Sequence, residues 1–167
     1  MDDETGISTK EFTQLSYEHL NRYIKLANQK ASILLTAQLA YIAIFANTLS
    51  QVQISQDITV QVLGIGTVVI AAGAAYFAAR TVYPDTPDKE DGGLMLWGSI
   101  LEYERDGYKQ RIIGDDSGDL LSELLDENYQ LAKVAHKKYD RLRNSLLLTG
   151  AMVFSSIILG GYIIYLS

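Results

Sequence analysis

The chain has 167 residues, with 14 Lys and Arg, 20 Asp and Glu, no Cys and a formal net charge of −6. This acidic balance argues against a nucleic-acid groove or a strongly basic membrane-surface patch. The lack of Cys excludes disulfide bonds and thiolate metal sites. Charged residues make up 20% of the chain, which is ordinary for a soluble domain, but they are distributed very unevenly.

Residues 1–30 form the first predicted element, an N-terminal amphipathic helix on the cytoplasmic side. No Pro or Gly interrupts residues 10–30, and one set of side chains there recurs in steps of three and four. Such spacing places a set of side chains on one stripe of a helix. The residues of this predicted stripe are Phe12, Leu15, His19, Tyr23, Leu26 and Lys30.

Three runs of the chain carry no charged residue at all: 31–49, 58–79 and 145–166. A helix rises about 1.5 Å per residue and the hydrocarbon core is about 30 Å thick, so about 20 apolar residues suffice to cross it. The sequence therefore predicts three transmembrane helices, with an external loop at 50–57. The predicted fold class is all-α, an integral membrane protein in which inward extensions of the spans form a cytoplasmic helical bundle.

The basic residues predict the orientation, because Lys and Arg near a span are retained on the cytoplasmic side. Four precede the first span and ten lie within 80–143, while 50–57 and Ser167 have none. We therefore expect the protein in the cytoplasmic membrane, with its N-terminus and residues 80–144 inside and its C-terminus outside.

The predicted cytoplasmic region covers 80–144. Both prolines of the chain, Pro84 and Pro87, follow Tyr83 and end the helix of the second span there. A helix is predicted over 94–113, followed by an acidic loop at 114–119. A heptad seam then leads into the third span, and it predicts packing on the N-terminal helix, on the 94–113 helix or on a second protomer, or simply the core of a small bundle. The seam consists of Leu121, Leu125, Asn128, Ala132, Ala135, Tyr139 and Leu142.

Few polar side chains lie within the predicted spans, and Gln38 is the one nearest the middle of the first. An amide inside hydrocarbon needs a hydrogen-bond partner, which is either another helix or water in a pore. We favour helix association for Gln38 over a wetted pathway.

Four short motifs carry a resemblance to a known family. They are Tyr23-x4-Asn28-Gln29-Lys30-Ala31, Tyr83-Pro84, Leu96-Trp97-Gly98-Ser99-Ile100 and Lys137-Lys138-Tyr139. With them the chain resembles the transmembrane effector family of Pycsar antiphage systems over most of its length. It departs from the family pattern at Asn28, where the D-x-K motif has Asp. The resemblance implies a membrane effector that is controlled by a cyclic pyrimidine nucleotide, cUMP or cCMP, made by a partner cyclase after phage infection, and that then impairs the host membrane.

A cyclic nucleotide carries one phosphate charge and a flat base, so its site needs cations or clustered N–H donors and an aromatic face. Candidates of these types gather near the predicted inner membrane boundary. The alternative is that the basic residues anchor to lipid headgroups and the aromatic ones form an interfacial belt. The candidate ligand-binding residues are Asn28, Lys30, Arg80, Trp97, Lys133, Lys137 and Arg141, with Tyr83 or Tyr139 as further stacking partners.

We expect no catalysis, because neither His19 nor His136 has a nucleophile and an orienting group at readable spacing. No cofactor and no metal site is predicted, since the acidic loop departs from the calcium-loop pattern. The functional hypothesis is thus a nucleotide-activated effector that forms a homo-oligomer in the bilayer and binds no nucleic acid. The rival hypothesis is a non-enzymatic membrane scaffold that recruits a soluble partner.

Overall fold

The computed structural model describes residues 7–51, 57–85, 100–101, 103–114 and 117–166. Within these ranges the chain forms four helices and no strand, which confirms the all-α prediction. The helices are α1 Thr9–Gln51, α2 Ile58–Val82, α3 Arg105–Gly114 and α4 Ser117–Leu166.

The ends of α1 and α2 are fixed by local hydrogen bonds. Ser8 caps α1, because its hydroxyl accepts from the Glu11 N–H at 3.2 Å. Asp57 caps α2 in the same way, with its carboxylate 2.7 Å from the Thr59 nitrogen. At the other end of α2 the Tyr83 N–H bonds the Ala79 carbonyl at 3.0 Å, and Pro84 then prevents continuation.

Two expectations for the region between the second and third spans differ from the structure. The predicted helix over 94–113 is interrupted in its second half: Ile100 is helical, Leu101 lies in a turn and Tyr103 in a bend, and α3 then covers Arg105–Gly114, while residues 94–99 lie outside the described ranges. The acidic loop is shorter than predicted, because Ser117 already belongs to α4. Asp119 lies in the first turn of α4, where a carboxylate is favoured by the helix dipole.

Three helices are long and apolar enough to cross a membrane, in the ranges Thr9–Ser50, Ile58–Val82 and Gly118–Leu166. The three uncharged runs predicted from the sequence lie within them. At 50 residues α4 has an axial length of about 75 Å, more than twice the thickness of a hydrocarbon core.

The chain divides into two compact units. Unit 1 consists of Met1–Lys25 and Asp85–His136, and unit 2 consists of Leu26–Pro84 and Lys137–Ser167. Both α1 and α4 therefore contribute residues to each unit.

In unit 1, α1 and α4 are joined through Asn128. Its side-chain nitrogen donates to the Thr13 carbonyl at 2.9 Å, and Thr13 and Asn128 are both buried. The heptad seam thus packs on the N-terminal helix, one of the alternatives left open by the sequence. The predicted stripe of α1 is not the buried face: Phe12 is 64% exposed and Tyr23 44% exposed.

In unit 2, α1 and α2 bury mainly small side chains and α4 buries larger ones. Ala27 and Ala31 of α1 are fully buried, whereas the residues of α4 include Leu142 and Met152. The seam of α4 also differs from prediction by one position, because Lys138 is buried while Tyr139 is only half-buried. The buried face of α4 runs in steps of three, four and seven through Ala135, Lys138, Leu142, Ser145, Met152 and Leu159.

Candidate functional site

Lys138 lies at the centre of a polar site near one end of unit 2. Its side chain is only 2% exposed, and its ammonium group donates to three oxygens. They are Oδ1 of Asn28 at 2.9 Å, the carbonyl of Thr81, and the carbonyl of Tyr83 at 3.2 Å. An ammonium group has three protons, which is enough for these three bonds.

This site joins three helices because the last carbonyls of a helix have no partner within it. Thr81 is in the final turn of α2 and fully buried, so water does not reach its carbonyl. A cation there bonds the free carbonyls and is favoured by the helix dipole. Asn28 adds α1 to the same ammonium group. We call Lys138, Asn28, Thr81 and Tyr83 the Lys138 site.

Next to the Lys138 site lies a surface with two guanidinium groups and a ring. The Arg141 guanidinium donates to the Arg80 carbonyl at 3.1 Å. The Arg80 guanidinium lies 5.8 Å from the centre of the Tyr83 ring, which is 63% exposed. We call Arg80, Tyr83 and Arg141 the Arg–Tyr surface. Guanidinium groups suit bidentate contact with phosphate, and an exposed ring offers a face for stacking.

The other predicted ligand residues lie in different surroundings. Lys30 and Lys137 are exposed residues of unit 2. Lys133 belongs to unit 1, where its ammonium group lies 4.4 Å from the centre of the Tyr129 ring. Trp97 lies outside the described residues. The structure therefore brings together Asn28 with Lys138 and Arg80 with Arg141, and Lys30, Lys133 and Lys137 take no part in these bonds.

Further along unit 2, Gln38 forms a buried polar cluster with α4. Its side chain is 1% exposed, and Nε2 donates to the hydroxyls of Ser145 at 3.1 Å and Thr149 at 2.7 Å. Ser145 donates in turn to the Ala74 carbonyl of α2 at 2.8 Å. The cluster thus holds all three helices of unit 2 together, as helix association requires.

The orientation of the Gln38 amide follows from where the hydroxyl protons go. Ser145 donates its proton to Ala74, and Thr149 donates its own to the Ser145 carbonyl at 2.7 Å. Both hydroxyls can then only accept from Gln38, so its NH2 group must face them. The other amide atom, Oε1, is buried without a hydrogen-bond partner.

Two further polar pairs connect α4 to α1 and α2. Ser155 bonds Thr67 of α2 at 2.7 Å, and Ser156 bonds the hydroxyl of Tyr41 of α1. The proton of Thr67 goes to the Leu63 carbonyl at 2.8 Å, so Ser155 is the donor in the first pair. Hydroxyl groups bonded in this way satisfy their polar atoms inside an apolar bundle.

Asp57 and Tyr162 mark the opposite end of unit 2. The Tyr162 hydroxyl donates to Oδ2 of Asp57 at 3.2 Å. The backbone N–H of Thr59 and the Tyr162 hydroxyl both bond the carboxylate and lower the pKa of Asp57. The carboxylate is thus favoured in its ionised form at this end.

Sequence reasoning missed Lys138, Ser145 and Thr149. Lys138 stands in the Lys137-Lys138-Tyr139 motif, and the sequence predicts no role of its own for it. The signal that could have found it is spacing: Lys138 lies three residues after Ala135 and seven before Ser145, on the same helical face. Within the part of the chain that the structure describes, no group of three His, Cys, Asp or Glu is positioned for a metal ion.

Comparison with known proteins gives a family match over nearly the whole chain. The model of the Pycsar effector protein domain matches residues 13–166. The Pycsar effector protein SaPycTM of Staphylococcus aureus is 28% identical over 156 residues, covering 88% of this chain and 94% of that protein. No solved structure matches the chain.

Proposed function

The chain belongs to the Pycsar effector family of transmembrane proteins in antiphage defence, and on that premise we propose that a cyclic pyrimidine nucleotide activates it. The nucleotide, cUMP or cCMP, comes from a partner cyclase. Once active, the protein impairs the integrity of the membrane that holds it. It acts as a non-enzymatic effector: it binds the nucleotide, and its helices then rearrange.

The Arg–Tyr surface is the observation that carries this proposal. The single phosphate charge of a cyclic nucleotide matches the guanidinium groups of Arg80 and Arg141, which present planar pairs of donors. The exposed ring of Tyr83 offers a stacking face for a pyrimidine. Arg141 bonds the Arg80 carbonyl and the Arg80 guanidinium lies over the Tyr83 ring, so the three residues adjoin one another within unit 2.

The position of the Arg–Tyr surface supports a route from binding to rearrangement. Arg80 and Tyr83 flank Thr81, whose carbonyl accepts from Lys138, and Arg141 lies three residues beyond Lys138 on α4. A ligand held by this surface therefore acts on the residues that join the three helices. It shifts the packing only if it binds one arrangement more tightly than the other.

Calorimetry of the purified protein with cUMP and cCMP tests the binding step, with cAMP as the nucleotide control. We expect Arg141→Gln to raise the Kd about tenfold or more, because a charge-assisted hydrogen bond to phosphate is lost. The matched control is Arg22→Gln, an exposed arginine of unit 1, which leaves the Kd unchanged. Absence of binding by both pyrimidine nucleotides contradicts the proposal.

Proton leakage into liposomes, read with a trapped pH-sensitive dye, tests the second step. Wild-type protein is expected to dissipate a pH gradient on addition of the nucleotide that binds, and Arg141→Gln to require a higher concentration. A change in fluorescence of Trp97, the single tryptophan, would support its predicted place at the ligand. Binding without any leakage would instead favour the anchor hypothesis, in which the protein recruits a soluble partner.

The proposed orientation places the N-terminus and residues 80–144 in the cytoplasm and the C-terminus outside. The chain contains no Cys, so single-Cys variants can be labelled cleanly. A membrane-impermeant maleimide added to intact spheroplasts is expected to label Ser167→Cys and to leave Lys10→Cys unlabelled. The reverse pattern would refute this orientation.

We further propose that the active protein is a homo-oligomer that contacts its copies through the exposed stripe of α1. Phe12, Leu15 and Tyr23 are large side chains that unit 1 leaves 64%, 49% and 44% exposed. Apolar side chains outside lipid are stabilised by burial against a partner. Oxidative cross-linking of Phe12→Cys should give dimers, whereas Glu18→Cys, on the polar face, should not. Equal cross-linking of both variants would contradict this contact.

A further inference from the structure

Polar and apolar levels alternate along the buried face of α4 in unit 2. The polar levels are Lys138, then Ser145 with Thr149, then Ser155 with Ser156, and finally Tyr162. From Lys138 to Tyr162 the helix rises about 36 Å, close to the thickness of a hydrocarbon core. Polar groups therefore recur over the whole length of helix needed to cross a bilayer.

Each polar level of α4 is met by polar groups of α1 or α2. Gln38 meets the second level, Thr67 and Tyr41 meet the third, and Asp57 meets Tyr162. Between these levels the buried residues of α2 are mainly small, among them Ala71 and Ala74, with Val60 as the larger one near Asp57. Small side chains let the helices approach closely, and they place little apolar volume between them.

Three large apolar side chains of α4 separate the polar levels. Leu142 is 5% exposed, Met152 3% and Leu159 2%. Leu142 lies between the first two levels, Met152 between the second and third, and Leu159 between the third and Tyr162. We call these three residues the apolar plugs.

The side-chain oxygen Oε1 of Gln38 is buried without a hydrogen-bond partner, and this points to water in the interior independently of the polar levels. A buried acceptor without a donor is unfavourable in hydrocarbon, where no water can replace the missing bond. Helix association alone needs only the NH2 group of this amide, so it leaves the carbonyl oxygen unexplained. Oε1 is an acceptor to which water can donate a hydrogen bond once water enters the bundle.

We propose that the interior of unit 2 is a closed pathway for protons and small ions, shut by the apolar plugs. In the open state α4 turns or shifts so that the plugs leave the interior, and water bonds Oε1 of Gln38 and the free lone pairs of the hydroxyls. The Lys138 ammonium group lies at one mouth and the Asp57 carboxylate at the other. This deepens the proposed function, because it names the route by which the membrane loses integrity, and it rests on that function for its trigger.

Removing the central plug tests the pathway without any nucleotide. Met152→Ser is reconstituted into phosphatidylethanolamine and phosphatidylglycerol liposomes loaded with the pH-sensitive dye pyranine, and proton flux is driven by a potassium diffusion potential. We expect a flux about tenfold above wild type, since a hydroxyl in place of the thioether lowers the barrier to hydration. The matched control is Ile157→Ser, a similar loss of apolar volume on a side chain that is 66% exposed, which leaves the flux at the wild-type level.

A second variant relates the leak to Gln38. Gln38→Leu combined with Met152→Ser is expected to return the flux toward wild type, because an apolar side chain then replaces the buried amide that faces Ser145 and Thr149. Circular dichroism and carbonate extraction confirm that each variant is folded and inserted. If Met152→Ser does not insert, Leu159→Ser serves in its place, with the same control.

The results separate this inference from the proposed function. A Met152→Ser protein that is folded but no leakier than wild type overturns the pathway, even if wild type still leaks protons with nucleotide. A larger leak from Ile157→Ser also overturns it, because the route would then lie on the outer surface of the helices. Proton flux accompanied by equally fast release of carboxyfluorescein indicates general membrane disruption and refutes a narrow pathway.

Discussion

Replacement of Lys138 by Met should destabilise the three-helix unit strongly. The substitution keeps an unbranched side chain of slightly smaller length but removes an ammonium group that donates to Asn28, Thr81 and Tyr83. Each bond to a charged donor contributes about 1.5–3 kcal/mol, and loss of one partner from a buried charged network costs about 3–5 kcal/mol. We therefore expect the free energy of unfolding to fall by about 3–5 kcal/mol.

The assay is unfolding by SDS titration in dodecyl maltoside micelles, followed by far-ultraviolet circular dichroism. Lys137→Met is the matched control, because Lys137 is the adjacent lysine on the same helix and is exposed. Its loss should change the free energy by less than about 0.5 kcal/mol. A double-mutant cycle with Asn28→Ala should give a coupling energy of about 1–3 kcal/mol. Equal effects of Lys137→Met and Lys138→Met would refute the argument that Lys138 joins the helices.

Three further substitutions are expected to give distinct results in the same titration. Asn28→Asp should raise the free energy of unfolding by about 1 kcal/mol, because a carboxylate replaces a neutral acceptor of the Lys138 ammonium group; a decrease would contradict the contact. Gln38→Leu should change it by less than about 1 kcal/mol, since two intramembrane hydrogen bonds are lost while a buried unpartnered oxygen is removed; a loss well above this would show that the amide is essential to packing. For Asp57 the hydrogen bonds lower the folded-state pKa, so its stabilising effect is present above the unfolded pKa of about 3.9 and is lost as the pH falls through the folded pKa. Asp57→Asn should therefore remove this acid-side loss, and an unchanged pH dependence between wild type and variant would rule out Asp57 as its source.

The number and type of the long helices could be predicted from the sequence because three uncharged runs dominate it. Their length is fixed by the apolar thickness to be crossed, and the prolines after Tyr83 mark the end of α2. The continuous entry of α1 into the first uncharged run could also be predicted, since no helix breaker separates them. These features depend only on local composition.

The buried faces could be predicted less well, because they depend on which residue finds a partner in three dimensions. Helical periodicity in the sequence places Tyr139 on the seam rather than Lys138, and Phe12 on the predicted stripe rather than Thr13. Thr13 is buried where Asn128 bonds its carbonyl, and Lys138 is buried where the end of α2 supplies carbonyl oxygens to its ammonium group. A hydropathy scale counts a lysine as solvated and cannot anticipate acceptors contributed by a distant helix.

Gln38 shows how far a sequence argument can reach. That its amide needs a partner follows from the low polarity around it, and association with another helix was the favoured outcome. That the partners are Ser145 and Thr149, and that Oε1 is left over, depends on proton positions set by the α2 carbonyl of Ala74. These hydrogen bonds join helices that are distant in the sequence, so they do not follow from local composition.

The uneven division of polar contacts among the helices has a consequence for biosynthesis. Every long-range polar bond described in unit 2 has one member on α4, the helix that the ribosome makes last. During translation, α1 and α2 are therefore threaded into lipid with amide and hydroxyl groups that only a later segment can match. Insertion intermediates that stall before residue 138 should therefore be substrates of membrane chaperones or quality-control proteases. The first membrane-inserted form of the newly made effector is a pair of helices, α1 and α2, without its partner α4.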